Sequence, residues 1–435
     1  MFRLFDLSLR LNGFPIKEAK QAFAKIVARP EKGYTQYLEN KRNEIVQFHF
    51  KHNAFYRQLA GSSEFSSWED LPVVTKSDFQ KPLTERLSDG FTPKNVYINR
   101  TSGSSGDPFI FAKDKFCHAL IWASAFYRFG WHGIDFNTSF QARFYGYPVN
   151  FTDALKLKIK DYFANRYRLP LLDLSEPSLD NFIRIFSRKK INYINGYTSS
   201  LVIFAKHLKK RNLILQSVCP GLKVCVVTSE MLFEDDKKLL ESQFGVPVVN
   251  EYGASELDII AFQNKENQWM LNTQSLYIEV LDDNNLPVAD GEQGNLVITS
   301  LYNKAHPFIR YKIGDWGSIQ KLNEKDWILK ELVGRTNDII QLPSGKIVPG
   351  MAFYVITKKV LDQDTSLKEF VVTQKKIDVF EIDYVSSEPL SENRKKVLSS
   401  LFADYLEPNL FFIFNQKEKL QRTKAGKLKQ FTSEL

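Results

Sequence analysis

Thr101-Ser102-Gly103-Ser104-Ser105-Gly106-Asp107-Pro108 is the stretch on which the reading of the chain turns. It follows an extended run, Val96-Tyr97-Ile98-Asn99-Arg100, and precedes a long apolar segment from Phe116 to Tyr127. Glycine lets the backbone reach positive φ and lets a ligand come close to it. Unpaired N–H groups in such a turn form a concavity that attracts anions. Serine and threonine hydroxyls add donors that can follow phosphate oxygens. A phosphate-gripping loop is one reading. A flexible polar turn, the commoner meaning of Ser/Gly-rich text, is the other. On this stretch alone the two stand level.

The chain around it has 435 residues, which suggests roughly two to three domains. Hydrophobic residues make up 43% and charged residues 25%, an ordinary soluble globular balance. With 35 phenylalanines the core should be rich in aromatic rings. The formal charge of +9 fits nucleic acid, an anionic membrane surface or an anionic small substrate such as a nucleotide. Spread over this length it decides nothing alone. Cys117, Cys219 and Cys225 form no CxxC pair and are odd in number, which argues against a disulfide framework or a structural zinc site. The start, Met1-Phe2-Arg3-Leu4-Phe5-Asp6, lacks the uninterrupted apolar region of a signal peptide. Phe116 to Tyr127 is too short to span a bilayer. The expectation is a cytoplasmic protein with no transmembrane segment.

Residues 1–60 read as mostly helical, with Phe23, Ile26 and Val27, then Tyr34, Tyr37 and Leu38, at helix-like spacing, and Pro30 between two helices. Lys113 to Arg128 should be a largely buried helix. From about 134 to 250, strand-like text (Ile191 to Asn195, Leu222 to Thr228, Val246 to Asn250) alternates with helical text (Ser199 to Lys210, Phe233 to Phe244). That alternation argues for a parallel sheet in an α/β domain, whose ligands gather at the carboxyl ends of the strands. Over 268–320, Trp269 to Leu271, Ser275 to Leu281 and Gly294 to Thr299 read as strands of an antiparallel β-rich subdomain. A boundary is expected near Gly334-Arg335-Thr336-Asn337-Asp338. The remaining stretch of about 100 residues suits a small α+β domain.

No GxxxxGK[ST], GxGxxG, HExxH or GxSxG motif is present, which removes P-loop NTPases, dinucleotide enzymes, zincins and elbow-type hydrolases. The six histidines show no ligand spacing. His49 and His52, three apart on an expected helix, read as a surface pair on a polar face.

Other stretches carry chemistry. Asn250-Glu251-Tyr252-Gly253-Ala254-Ser255-Glu256 directly follows an expected strand. Tyr311-Lys312-Ile313-Gly314-Asp315 places an acid after a glycine turn. Arg422-Thr423-Lys424-Ala425-Gly426-Lys427 puts a lysine after a glycine near the C-terminus. With Asn195-Gly196-Tyr197, Thr228-Ser229-Glu230, Pro307 to Tyr311 and Gly334-Arg335, this ordered set resembles the adenylate-forming superfamily of acyl-CoA synthetases, peptide-adenylation domains and luciferases. The nearest look is to its phenylacetate–coenzyme A ligase-like branch, within it the CapK or coenzyme F390 synthetase-like proteins. The resemblance runs from about residue 65 to the end.

The resemblance implies an α/β large domain of mixed and parallel sheets plus a β-rich subdomain over residues 1–335. A small mobile α+β domain would follow over 336–435. It implies an ATP- and Mg²⁺-dependent ligase that joins a small-molecule carboxylate to AMP and passes the acyl group to coenzyme A or an amine, in the latter case on a sugar or polysaccharide precursor. Thr101, Ser102, Gly103, Ser104, Ser105 and Gly106 would hold the β- and γ-phosphates. Members often carry lysine before the proline; Asp107 stands here and cannot attract phosphate. Glu256 would coordinate Mg²⁺, although an acid at a helix N-terminus has the same look. Tyr252, Gly253 and Ala254 would pack the adenine or the acyl group, or Tyr252 is a core ring. Asp315 would accept from the ribose hydroxyls or simply form a turn. Arg335 would contact ribose or phosphate, or make an interdomain ion pair, while Arg310 reads as structural. Lys427 would bind the carboxylate and the α-phosphate, where charge builds in the transition state; a solvated basic tail is its other reading. Asn337 would be the pivot between the domains. Phe144, Tyr145 and Gly146 would line the acyl pocket, or be plain core, and Arg143 could meet a second acid on the substrate. A basic nucleic-acid-binding protein and a catalytically dead scaffold remain as alternatives; no nucleic-acid motif supports the first, and Glu256, Asp315 and Lys427 speak against the second.

Overall fold

The computed structural model describes residues 4–62, 65–101, 109–145, 151–171, 173–335, 339–349, 367–421 and 431–435, with backbone alone at 151–156, 335, 339, 347, 349 and 367–369. Strands β1 (Tyr97–Arg100) and β2 (Ile110–Lys113) pair antiparallel as a hairpin, Arg100 opposite Ile110. Residues 102–108 connect them.

A parallel group follows: β3 (Gln141–Phe144), β4 (Arg166–Leu169), β5 (Tyr193–Tyr197), β6 (Val224–Thr228) and β7 (Val248–Ala254). In space they run β4-β3-β5-β6-β7, all pairs parallel. Val224-Cys225-Val226-Val227-Thr228 is buried on both faces, as a central parallel strand with covered faces requires. The helices Glu176–Arg188, Thr198–Lys210 and Glu234–Phe244 cover one face, where Phe182, Phe186, Phe204 and Phe244 meet Phe144 and Val227. Helix Lys115–Gly130, with Asp114 accepting from the Cys117 amide (2.8 Å), brings Phe129 to the other face beside Tyr193, Val226 and Phe262. Its N-cap is one residue later than the expected start.

The strands expected over 268–320 form, but they do not make a sheet of their own. From β7 the ladder continues antiparallel through β8 (Asp258–Gln263), β9 (Trp269–Leu271), then β13 (Trp327–Arg335), β12 (Tyr311–Lys321), β11 (Gln293–Ser300) and β10 (Leu276–Leu281). The β-rich part is thus one wing of an 11-stranded mixed sheet. The N-terminal helices Tyr34–His52 and Ala54–Ala60 pack Tyr37, Leu38 and Phe55 onto this wing beside Ile298, Phe308 and Trp327.

His49 is a correction. The expected surface histidine is fully buried, with Nε2 donating to the Asn303 carbonyl (2.9 Å) and Nδ1 accepting from Ser88 Oγ (3.2 Å). The helix is polar in composition, yet this position faces inward and its ring finds partners from distant loops.

Past residue 338 a second core appears. Strands β16 (Leu367–Lys376), β17 (Val379–Ser386), β18 (Phe411–Gln416) and β19 (Phe431–Ser433) form a sheet of order β18-β17-β16-β19. Phe370, Val372, Phe380 and Ile382 pack there against Leu398 and Phe402 of helix Glu392–Tyr405. The short hairpin of β14 (Ile339–Gln341) and β15 (Ile347–Pro349) adds Ile340 and Val348 to the same core. The architecture is α/β with a large mixed sheet and a separate small α+β layer.

Candidate functional site

The hairpin β1–β2 is held firmly at its base. Thr101 N–H donates to the Phe109 carbonyl (2.9 Å) and Phe109 N–H donates to Thr101 Oγ1 (3.1 Å). The Thr101 hydroxyl therefore closes the neck of the loop as an acceptor and keeps its own O–H to give. Arg86 Nη2 donates to the Ile110 carbonyl (2.8 Å) and Asn303 Nδ2 to the Ala112 carbonyl (2.9 Å). Ser102, Gly103, Ser104, Ser105 and Gly106 lie outside the described residues.

The carboxyl end of β7 meets β12 through two crossed pairs. Tyr252 Oη donates to Asp315 Oδ2 at 2.6 Å, and Tyr311 Oη donates to Glu256 Oε1 at 3.1 Å. Each strand thus supplies the tyrosine that orients the other side's acid. A hydrogen bond to a charged group is worth about 1.5–3 kcal/mol, so these pairs hold both carboxylates in place before any ligand arrives. Asp315 sits in a bulge rather than a turn. Pairing of β11 with β12 jumps from Val297 opposite Lys312 to Asn295 opposite Trp316, and Gly314 in the skipped stretch has φ 86°. A bulge re-aims the side chains beside it, here the acid. Asp315 is also in register with Arg335 on β13.

The Tyr252 ring takes the second of its two expected places: it is buried in the core, edge-on to Trp269 at 6.2 Å, with its hydroxyl on Asp315. The clearance at Gly253 goes to the chain itself: a Cβ there would stand 2.4 Å from the Asp258 carbonyl oxygen across the β7–β8 turn. Ala254 packs half-buried against the same core.

Lys113, the last residue of β2, has no counterpart among the expected site residues. It is 1% exposed, ion-paired with Asp258, and its Nζ donates to the Ser255 carbonyl at 3.0 Å. Burial pushes its ammonium down to about 8, against the opposing pull of Cys117 and Glu256. It ties the hairpin to the turn that carries Glu256. The one signal in sequence is a lysine ending an apolar run, Phe109-Ile110-Phe111-Ala112-Lys113. Arg310, read as structural, is buried with φ 44°; Nη1 donates to the carbonyls of Glu69 (3.1 Å) and Leu71 (2.8 Å), and Nη2 pairs with Glu279 (3.3 Å).

Phe144 takes the core alternative: its side chain points into the aromatic core against Phe182 (5.7 Å) and Phe204 (5.6 Å). Alternation on β3 sends its neighbours to the opposite face. Tyr145 stands next to Tyr197, ring centres 4.6 Å apart. Gly146, Asn337 and Lys427 lie outside the described residues, and only the backbone of Arg335 is described. Among the described residues no group of three or more His, Cys, Asp or Glu side chains gathers as a metal site. None of their helices is long and apolar enough to cross a membrane.

No family model matches the chain. It is 25% identical to protein CapK of Staphylococcus aureus over 415 residues, 90% of this chain and 87% of the other. Among solved structures, 2-hydroxyisobutyryl-CoA ligase in the postadenylation state with its 2-HIB-AMP superposes with a TM-score of 0.69 at 17% identity, covering 93% of this chain and 90% of the other. The chain has the adenylate-forming fold. ATP-bound MatB from Rhodopseudomonas palustris aligns more loosely, with a TM-score of 0.52 at 15% identity over 77% of this chain and 66% of the other. The resemblance seen in the motifs therefore holds for the fold, and the chain is similar to CapK along most of its length.

Proposed function

We propose that the chain is an ATP-dependent carboxylate-activating ligase. A substrate carboxylate oxygen attacks the α-phosphorus of ATP, and the bond from that phosphorus to pyrophosphate breaks. A thiol or amine then attacks the acyl carbon of the adenylate; AMP leaves and the nucleophile gives up its proton. Coenzyme A is the acceptor that the CoA-ligase neighbours favour. An amine on a sugar or polysaccharide precursor is the acceptor suggested by the likeness to CapK.

The observation that carries this reading is the crossed pairing of Tyr252 with Asp315 and Tyr311 with Glu256, within a fold shared with an adenylate-bound ligase. Asp315 is oriented to accept from a ribose diol. Glu256 supplies one hard oxygen donor, which suits Mg²⁺, an ion usually held by one or two carboxylates together with phosphates and water. When bound, the ion would neutralise phosphate charge. Thr101 to Gly106 grip the phosphates from a braced hairpin. Lys427 of the small domain, residues 336–435, offsets the charge that builds on the α-phosphate. Arg335 and the pivot Asn337 lie where that domain joins residues 1–335.

Carboxylate-dependent ATP–pyrophosphate exchange across aryl, fatty, amino and sugar acids tests the reading, and silence with every acid would sink it. Hydroxylamine trapping with and without coenzyme A separates the acceptors. Lys427→Ala should abolish adenylation while ATP still binds; normal adenylation by that variant would remove the lysine from the reaction.

A further inference from the structure

One face of the parallel strands is basic on β3 and β4, with Arg143 near the carboxyl end of β3 and Arg166 at the amino end of β4. Register places Arg143 of β3 beside Arg168 of β4 and Asn195 of β5, with Arg166 beside Gln141. Ala142 and Phe144 point into the aromatic core, so these residues occupy the opposite face. Tyr197, Thr228 and Glu251 continue that face across β5, β6 and β7. The Arg143 guanidinium lies over the Tyr145 ring at 4.2 Å.

The charges there do not balance among the described residues. Asp161 takes Arg168 through Nε (3.1 Å) and Nη2 (3.2 Å). Arg166 shares the same acid as an ion pair, its Nε 3.6 Å from Asp161 Oδ1 and beyond hydrogen-bond reach. Nε of Arg143 and Nε of Arg166 are buried with no hydrogen-bond partner. Glu251 and Glu230 are the other acids near this face; burial raises the pKa of Glu251 although Thr228 and Arg143 pull it back. Lys160 adds a positive charge, depressed by burial and then by Arg166 and Arg143. Buried guanidinium N–H groups without acceptors are costly and call for an explanation. This face ends one residue before Tyr252, at the strand ends where ligands of such sheets collect.

We propose that the acid this site activates carries a second anionic group, a carboxylate or a phosphate, received by Arg143 beside Tyr145 and Tyr197, with Arg166 of the next strand adding positive charge. The proposal rests on the ligase reading above. A guanidinium presents a planar fork of donors that matches both anions. The reacting carboxylate is then left to face the nucleotide side of β7.

The test is ATP–pyrophosphate exchange by the full chain with matched acids of equal length. One member of each set ends in a methyl group, one in a carboxylate and one in a phosphate. The expected result is a kcat/KM at least about 100-fold higher for one of the dianionic members, the better arm identifying the anion. Arg143→Gln should raise the KM for that acid and bring the ratio toward one. Arg143→Lys should retain part of the ratio, and Arg143→Glu should turn preference toward acids with a cationic end. Retained ATP binding and thermal unfolding would show the variants are folded. Equal or better exchange with methyl-ended acids overturns the proposal alone. So does an Arg143→Gln variant that slows every acid in the same proportion, since that marks a structural arginine. No exchange with any acid overturns the ligase reading and this proposal together.

Discussion

The two sides of β7 are built differently. On the Tyr252 side each acid has a donor from the chain: Asp315 from Tyr252, Glu256 from Tyr311, Asp258 from Lys113. On the Glu251 side, among the described residues, Nε of Arg143 and Nε of Arg166 are buried without a hydrogen-bond partner. The first side is complete before a ligand binds, which suits a nucleotide common to every turnover. The second is complete only with an anion in place, which suits the variable partner. Damage to the first side should therefore affect all acids alike, and damage to the second should change which acid is chosen.

The largest effect expected is a loss of the nucleotide side in acid. His49 anchors the Asn303 loop that holds β2, and His118 stacks on Tyr97 of β1 at 3.8 Å. Burial pushes His49 down to about 4 and His118 down to about 3. Above the unfolded pKa of about 6.5 both states are neutral and nothing is lost. As pH falls below it, the unfolded chain takes up protons that the native chain refuses, so stability drops. For His49 alone the loss reaches about 3 kcal/mol near pH 4. Urea unfolding from pH 7.5 to 4 should show it, and His49→Gln should flatten the slope by about one proton. An unchanged slope would place the acid sensitivity elsewhere.

Next in size is Glu256→Gln. If Glu256 serves the phosphates as proposed, losing its charge should cost about 100-fold or more in exchange rate. It should do so equally for neutral and dianionic acids, leaving their ratio intact. A ratio that moved with Glu256 would dissolve the contrast between the two sides.

What was legible in the sequence follows the same division. The parallel strands and their helices were readable because burial on both faces leaves apolar runs, as in Leu222 to Thr228. Glu256 and Asp315 stand out in short motifs beside expected strands, and the structure joins them to tyrosines of β12 and β7. That pairing was not readable: Tyr311 lies 55 residues from Glu256, and Tyr252 lies 63 from Asp315. No local period encodes such a crossing. The arginine face joins β3 to β4, separated in sequence by a helix, and only parallel register brings them together. His49 and Lys113 escaped because polarity normally predicts exposure, and buried polar groups depend on partners that local text does not contain. For Phe144 two readings stay open in the sequence because an aromatic run does not say which face each ring takes until the strand is located.

Lys113→Met should cost about 2 kcal/mol, less than a fully buried pair would, because Asp258 keeps some exposure to water. The methionine fills the same space, so the loss reports the pair and not a cavity. Chemical denaturation measures it. The ratio between acids should again stay fixed, since Lys113 braces only the hairpin and the Glu256 turn.

The smallest effect is the most discriminating. Tyr252→Phe keeps the ring in the core and removes only the hydroxyl that Asp315 accepts from. A hydrogen bond to a charged group is worth at least about 1.5 kcal/mol, or about tenfold, and the loss should appear in the KM for ATP. If the hydroxyl works solely by aiming Asp315, then Tyr252→Phe combined with Asp315→Asn should be no worse than Asp315→Asn alone, since the two act through one contact. Additive losses would mean that Tyr252 also touches a ligand directly. A change in acid preference would go further. It would place Tyr252 on the acid side of β7, and the boundary between the two sides would then run through the strand's end instead of along its alternation.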